Sequence, residues 1–225
     1  MEKTIILSLG GSVIYPDNID ISFLTNFKKT VEKYIKKDYR FAIICGGGRL
    51  ARKYQESASE IAKLSDSELD WLGIYATELN AQLIKMIFNK HAEDFVISNP
   101  KVKIKFGKKI MVASGWKPGR STDYDAVLLA KNLGVKTVVN MSNVDYIYDK
   151  DPKKHKNARK IKNISWQKYR SMVGNKWKAG LSAPFDPIAA KEAQNSRVKV
   201  VIIGKNLKNF ENLLDSKEFE GTVIN

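Results

Sequence analysis

Three apolar runs in this chain each end in a glycine turn, and no other feature narrows its possible folds as much. Thr4-Ile5-Ile6-Leu7 leads into Leu9-Gly10-Gly11-Ser12. Phe41-Ala42-Ile43-Ile44 leads into Cys45-Gly46-Gly47-Gly48-Arg49, and Ile110-Met111-Val112-Ala113 leads toward Gly115. Short apolar runs bounded by glycine read as strands buried on both faces. Glycine after such a strand lets main-chain amides approach an anion with no Cβ in the way. A helix starting there adds the partial positive charge of its N-terminus. Three such turns imply a ligand with several phosphates, or two phosphorylated ligands meeting.

Strand and helix patterns alternate almost from end to end. Strands are expected over 4–9, 39–45, 95–98, 109–113, 136–141 and 198–203, with an edge strand over 222–224. Asp20 caps a helix whose Phe23, Phe27, Val31, Tyr34 and Ile35 recur at three- and four-residue steps. A second helix runs from about 50 to 64, and the Ser65-Asp66-Ser67-Glu68 capping box opens a third that runs to about 90. Thr122 or Asp123 opens another that ends at Gly134, Asp186-Pro187 starts one reaching about 195, and a short one covers 207–214. The pattern predicts an α/β fold: a three-layer αβα sandwich around an open, mainly parallel twisted sheet. Ligands bind such sheets beyond the carboxyl ends of the strands. The glycine turns and Ser142-Asn143-Val144-Asp145 are therefore expected to converge on one edge.

The 225 residues suit one large domain spanning 1–225, with no linker or repeat to divide it. The net charge of +15 would attract polyanions, but the lysines are scattered and not interleaved with aromatics. A solvated lysine-rich surface is expected, with no specific nucleic-acid partner. The longest apolar runs are far short of a membrane span, and no signal peptide is expected ahead of the first strand. The single cysteine, Cys45, argues for a reducing cytoplasm. With only His91 and His155, the chain suits chemistry that needs no proton shuttle.

Two nucleotide-binding templates are absent. No G-x-x-x-x-G-K-[ST] occurs: Gly115 and Gly119 are one residue too close, and Arg120 stands where lysine would. No G-x-G-x-x-G follows the first strand. Six blocks in order instead resemble the amino acid kinase superfamily, most closely its archaeal-type UMP kinase branch. They are Leu9-Gly10-Gly11-Ser12; Gly46-Gly47-Gly48 with Leu50-Ala51-Arg52; Asp70-x-x-Gly73-Ile74 with Thr77-x-x-Asn80-Ala81; Pro118 with Ser121-Thr122-Asp123; Asn143-Val144-Asp145 with Tyr148 and Asp151-Pro152; and Asp186-Pro187-Ile188-Ala189-Ala190.

That resemblance implies ATP-dependent phosphorylation of UMP to UDP, a step of pyrimidine nucleotide biosynthesis. It assigns the ATP side to Ser8, Leu9, Gly10, Gly11, Ser12, Gly48, Arg52, Ser142, Asn143, Tyr148 and Asp151. The UMP side is Gly47, Asp70 (to the ribose hydroxyls), Gly115, Trp116, Lys117, Pro118, Gly119, Arg120, Ser121 and Thr122. Arg52, Asp123 and Asp186 take the catalytic places. Plainer readings stand beside these. Arg52 also reads as a solvated helix arginine, Asp70 as an ordinary helix carboxylate and Asp123 as a dipole-favoured acid of a first turn. Trp116 also reads as an exposed loop residue, Thr122 and Asp186 as N-caps, and Asp151 as a turn former. No protein metal cage is expected; Mg²⁺ would ride on the phosphates. The chain departs from its relatives at Ser8, where many carry lysine, and at Glu78, where archaeal relatives often have arginine. A histidine after the triple glycine, which an isopentenyl phosphate kinase would want, is missing. Another small-molecule kinase of the superfamily and a non-catalytic nucleotide-binding protein of the same fold remain as alternatives. The family also implies a homo-oligomer, possibly a hexamer, for which the Phe23 and Phe27 face offers either a contact surface or plain core.

Overall fold

The computed structural model describes residues 3–152, 154–174 and 183–225, so Lys153 of the lysine-rich 150–162 run lies outside the described residues. β1 (Lys3–Leu9) runs into a short helix α1 (Gly11–Ile14) and then α2 (Ile21–Ile35). β2 (Tyr39–Cys45) is followed by two helices, α3 (Gly48–Ile61) and α4 (Asp66–Ile87), and by β3 (Ala92–Ile97) and β4 (Ile110–Ala113). α5 (Thr122–Asn132) and β5 (Thr137–Met141) precede β6 (Ile147–Tyr148), β7 (Lys160–Ile161), β8 (Asn163–Ile164) and α6 (Trp166–Val173). The remaining elements are α7 (Pro187–Asn195), β9 (Lys199–Ile203), α8 (Leu207–Leu214) and β10 (Thr222–Ile224).

Eight strands form one sheet in the order β3-β4-β2-β1-β5-β9-β10-β8. All neighbours are parallel except β9 and β10. Because the central strands are apolar at successive positions, both sheet faces must be covered. Leu7, Leu9, Ile43 and Val112 pack under α2, α4 and α8 through Phe27, Ile84 and Phe210. Ile6, Ile44, Met111 and Val138 pack on the other face against Leu129, Tyr169 and Ala190 of α5, α6 and α7. The result is the expected three-layer arrangement.

The expected caps are present. Asp20 accepts from the Phe23 amide at 2.9 Å, the Ser65–Glu68 capping box is closed, and Asp186 accepts from the Ala189 amide at 2.6 Å ahead of Pro187. Other features differ from the sequence reading or go beyond it. Residues 222–224 are not an edge: β10 lies between β9 and β8. β8 has only two residues, too few for periodicity to show. The short helix α6, capped by Ser165 and buried through Trp166 and Tyr169, also escapes a periodicity search. Ser121, not Thr122, caps α5, its hydroxyl accepting from the Tyr124 amide at 3.3 Å. Phe23 and Phe27 are core, stacked with centroids 5.6 Å apart.

Candidate active site

Parallel strands in adjacent places bring their carboxyl ends to one edge. Main-chain bonds tie the turns there together: Gly46 N–H donates to Leu9 O at 2.9 Å, Gly10 N–H to Met141 O at 2.8 Å, and Ser142 N–H to Ile203 O at 3.0 Å. The first two glycine turns touch backbone to backbone. A Cβ on Gly46 would lie 2.6 Å from Gly11 N, and one on Gly11 would overlap the main chain of residues 46–48. Gly48 has φ +62°, a left-handed conformation that side chains with a Cβ rarely adopt. These turns open α1 and α3, so the first turns of two helices, whose leading amides have no intrahelical acceptor, lie side by side.

α4 sets the third turn against the first two. Thr77 Oγ1 accepts from Gly115 N–H at 2.8 Å and Asp70 Oδ2 from Gly119 N–H at 2.6 Å. Asn80 Nδ2 donates to Gly46 O at 2.8 Å. Residues 70, 77 and 80 fall on the same inward side of the helix. Asp70, expected at a ribose, thus has one oxygen engaged by the loop. Glu78 accepts from Ser114 Oγ at 2.7 Å and Gln82 Nε2 at 2.9 Å, so its carboxyl is engaged within the protein.

Three aspartates gather where α5 and α7 begin. Asp123 Oδ1 accepts from Asn140 Nδ2 at 2.7 Å and Ser8 Oγ at 3.1 Å, and its Oδ2 from Asp186 N–H at 3.3 Å. Burial, and then the neighbouring Asp186 charge, push the Asp123 carboxyl up to about 7, although these three donors oppose the shift. Asp186 is raised chiefly by burial, against the Ala189 and Ile188 amides, and its Oδ2 is buried with no hydrogen-bond partner among the described residues. Asp125, which sequence reasoning missed, is pushed up to about 7 by burial, against the Trp116 amide and Arg120. No spacing rule flags it, because an acid in a first helical turn is ordinary.

The remaining expected residues fall into groups. Leu9 is core and Ser8 is buried against Asp123, so neither side chain lies open to a ligand. Gly10, Gly11, Ser12, Gly47 and Gly48 are together in the double turn, with Arg52 exposed about one helical turn along α3. In the third turn, Trp116 carries Lys117 Nζ at 4.2 Å and Lys101 Nζ at 5.2 Å from its ring centre, and Pro118 is half-buried. Arg120 lies 5.1 Å over the Tyr124 ring and donates from Nη1 to its neighbour Gly119 O at 2.7 Å. Ser142 follows β5, and its hydroxyl accepts from the Val144 amide at 3.3 Å. Asn143 is exposed, Tyr148 is half-buried in β6, and the Asp151 carbonyl accepts from His155 N–H at 2.9 Å in a turn.

A family profile described as "Amino acid kinase family" matches residues 3–204. The chain belongs to the amino acid kinase family. Among its relatives is a uridylate kinase of Thermococcus sibiricus, 37% identical over 205 residues with 90% of each chain covered. A uridylate kinase of Thermococcus kodakarensis is 36% identical over 225 residues, with 98% of each covered. This amino acid kinase also matches the crystal structure of uridylate kinase from Archaeoglobus fulgidus with a TM-score of 0.84 at 31% identity, over 100% of both chains.

Proposed function

We infer that the chain is a UMP kinase, transferring the γ-phosphoryl group of ATP to UMP to give UDP. The observation that carries this is the meeting of two glycine turns, in main-chain contact, with a third turn held by α4. The alignment with archaeal uridylate kinases over 90% or more of the chain supports it. In this reading ATP lies on Gly10, Gly11, Ser12 and Gly48, with its adenosine toward Ser142, Asn143, Tyr148 and Asp151. UMP lies on Gly47, Asp70 and the Gly115–Thr122 turn, and Arg52 reaches the phosphates. The acceptor oxygen is already anionic, so the transfer needs no general base. The protein's work is to align two polyanions and offset their repulsion with amides and cations. Asp123 acts as an organiser, its oxygens holding Ser8, Asn140 and the N-terminus of α7 in place. Among the described residues no group of three His, Cys, Asp or Glu side chains is arranged to hold a metal ion. Mg²⁺ is taken to enter with ATP, as part of the substrate, on the phosphate oxygens.

The wider reading is a single domain acting in the cytoplasm, and no helix among the described residues is long and apolar enough to cross a membrane. Self-association is assigned to the outward side of α4, where Trp71, Tyr75, Leu79 and Met86 are exposed. Between Arg52 and Met86 six acidic residues outnumber four basic ones, in a chain of net charge +15. Two copies meeting there escape the repulsion that the rest of the surface would impose.

A coupled assay with MgATP against UMP, CMP, acetylglutamate and isopentenyl phosphate tests the function. UDP formation selective for UMP is expected. Turnover of another acceptor alone would move the chain to a different kinase of the family. Nucleotide binding without turnover would make it a non-catalytic binder.

A further inference from the structure

Asp125 belongs to none of the blocks that resemble the family, and the transfer as described makes no use of it. It sits in the first turn of α5 beside Ala126, Val127 and Leu128, all buried, and is itself only 1% exposed. Its Oδ2 accepts from Trp116 N–H at 3.0 Å, while its Oδ1 is buried with no hydrogen-bond partner among the described residues. A buried carboxyl with one idle oxygen is less favourable than an apolar side chain of the same volume. Stability alone therefore favours valine at this position. What the carboxyl does do is hold one amide of the Gly115–Ser121 turn.

That turn is held at three amides. Thr77 takes Gly115 and Asp70 takes Gly119, both from α4, while Asp125 takes Trp116. The Asp125 bond ties the start of the turn to the helix it leads into, while Ser121 at its end caps that helix through the Tyr124 amide. The charged and titratable groups around it are Arg120, Asp123 and Asp186, with Tyr169 beside the latter two. Beyond the Trp116 amide, the indole carries Lys101 and Lys117. The direction of the Trp116 main chain therefore sets where an aromatic face and two cations stand. We propose that Asp125 is a positioning residue for the acceptor nucleotide, fixing through Trp116 N–H the loop conformation in which Trp116, Lys101 and Lys117 meet UMP. This rests on the reading of residues 115–122 as the UMP loop.

Steady-state kinetics and amide hydrogen exchange test it together. Asp125→Val removes the acceptor and keeps the volume. It is expected to raise KM for UMP about tenfold, the loss of one hydrogen bond, with KM for ATP within about twofold of wild type. Asp125→Asn, whose amide oxygen still accepts, returns most of the UMP affinity. Exchange over 115–121 accelerates in Asp125→Val and not in Asp125→Asn. If the valine variant does not fold, Asp125→Glu, which displaces the acceptor by one methylene, carries the same expectation. An unchanged KM for UMP with unchanged exchange overturns the proposal, as does an equal rise in both KM values with unchanged exchange. If wild type does not phosphorylate UMP, the functional reading falls instead, and the exchange experiment still decides whether Asp125 holds the loop.

Discussion

At position 8 a hydroxyl donates to Asp123 at 3.1 Å, yet burial and then the Asp186 charge push that carboxyl up to about 7 against this bond. Asp123 and Asp125 are both raised by burial from 3.8 to about 7. The folded state therefore binds protons that the unfolded chain has released. Stability from this source is complete below about pH 4 and is lost as pH rises to about 7. The melting temperature of wild type relative to Asp125→Asn should fall between pH 4 and 7, and a difference that stays flat across this range would show that Asp125 does not titrate there. Asp186→Asn keeps an N-cap side chain, so its melting temperature should barely move, while kcat should drop about tenfold or more. Arg52→Ala removes an exposed guanidinium and should lower kcat/KM about ten- to a hundredfold, again with little change in stability. Full activity in both variants would refute the site assignment while leaving the family intact.

The two glycine turns behave as one element, since neither leaves room for a Cβ on the other. Gly11→Ala should force the turns apart, costing about 1–3 kcal/mol, the usual range for overpacking. In a chain of this size that lowers the melting temperature by roughly 2–4 °C per kcal/mol. ATP binding, measured calorimetrically, should be lost alongside; an alanine variant with wild-type ATP affinity would mean the turns do not hold phosphate. α4 is the other decisive element. Its capping box and its length were legible in the sequence. Its role as the strut between loops was not, because Asp70, Thr77 and Asn80 look like ordinary polar residues until the loops they bond are in place.

For the whole molecule, charge and apolar exposure point the same way. Tyr75, Leu79 and Met86 are 64%, 60% and 62% exposed on a surface that escapes the general positive charge. Light scattering should give wild type a mass that is a multiple of 25.4 kDa. A Tyr75→Lys, Leu79→Lys double variant should return the single-chain mass with its melting profile still cooperative. A monomeric wild type would remove the α4 face as a contact between copies.

The local rules of the chain settled the central strands, the main helices, the caps at Asp20, Ser65 and Asp186, and the glycine turns. Periodicity, capping chemistry and the absence of a Cβ act within a few residues and can be read in order. They also put the turns on one edge, because parallel strands leave no other arrangement. What only the tertiary structure decided was which polar group meets which. Ser8 finds Asp123 across 115 positions, Gly119 finds Asp70 across 49, and Trp116 finds Asp125 across nine. Each of these bonds depends on how separate elements approach in space, and no residue spacing encodes that.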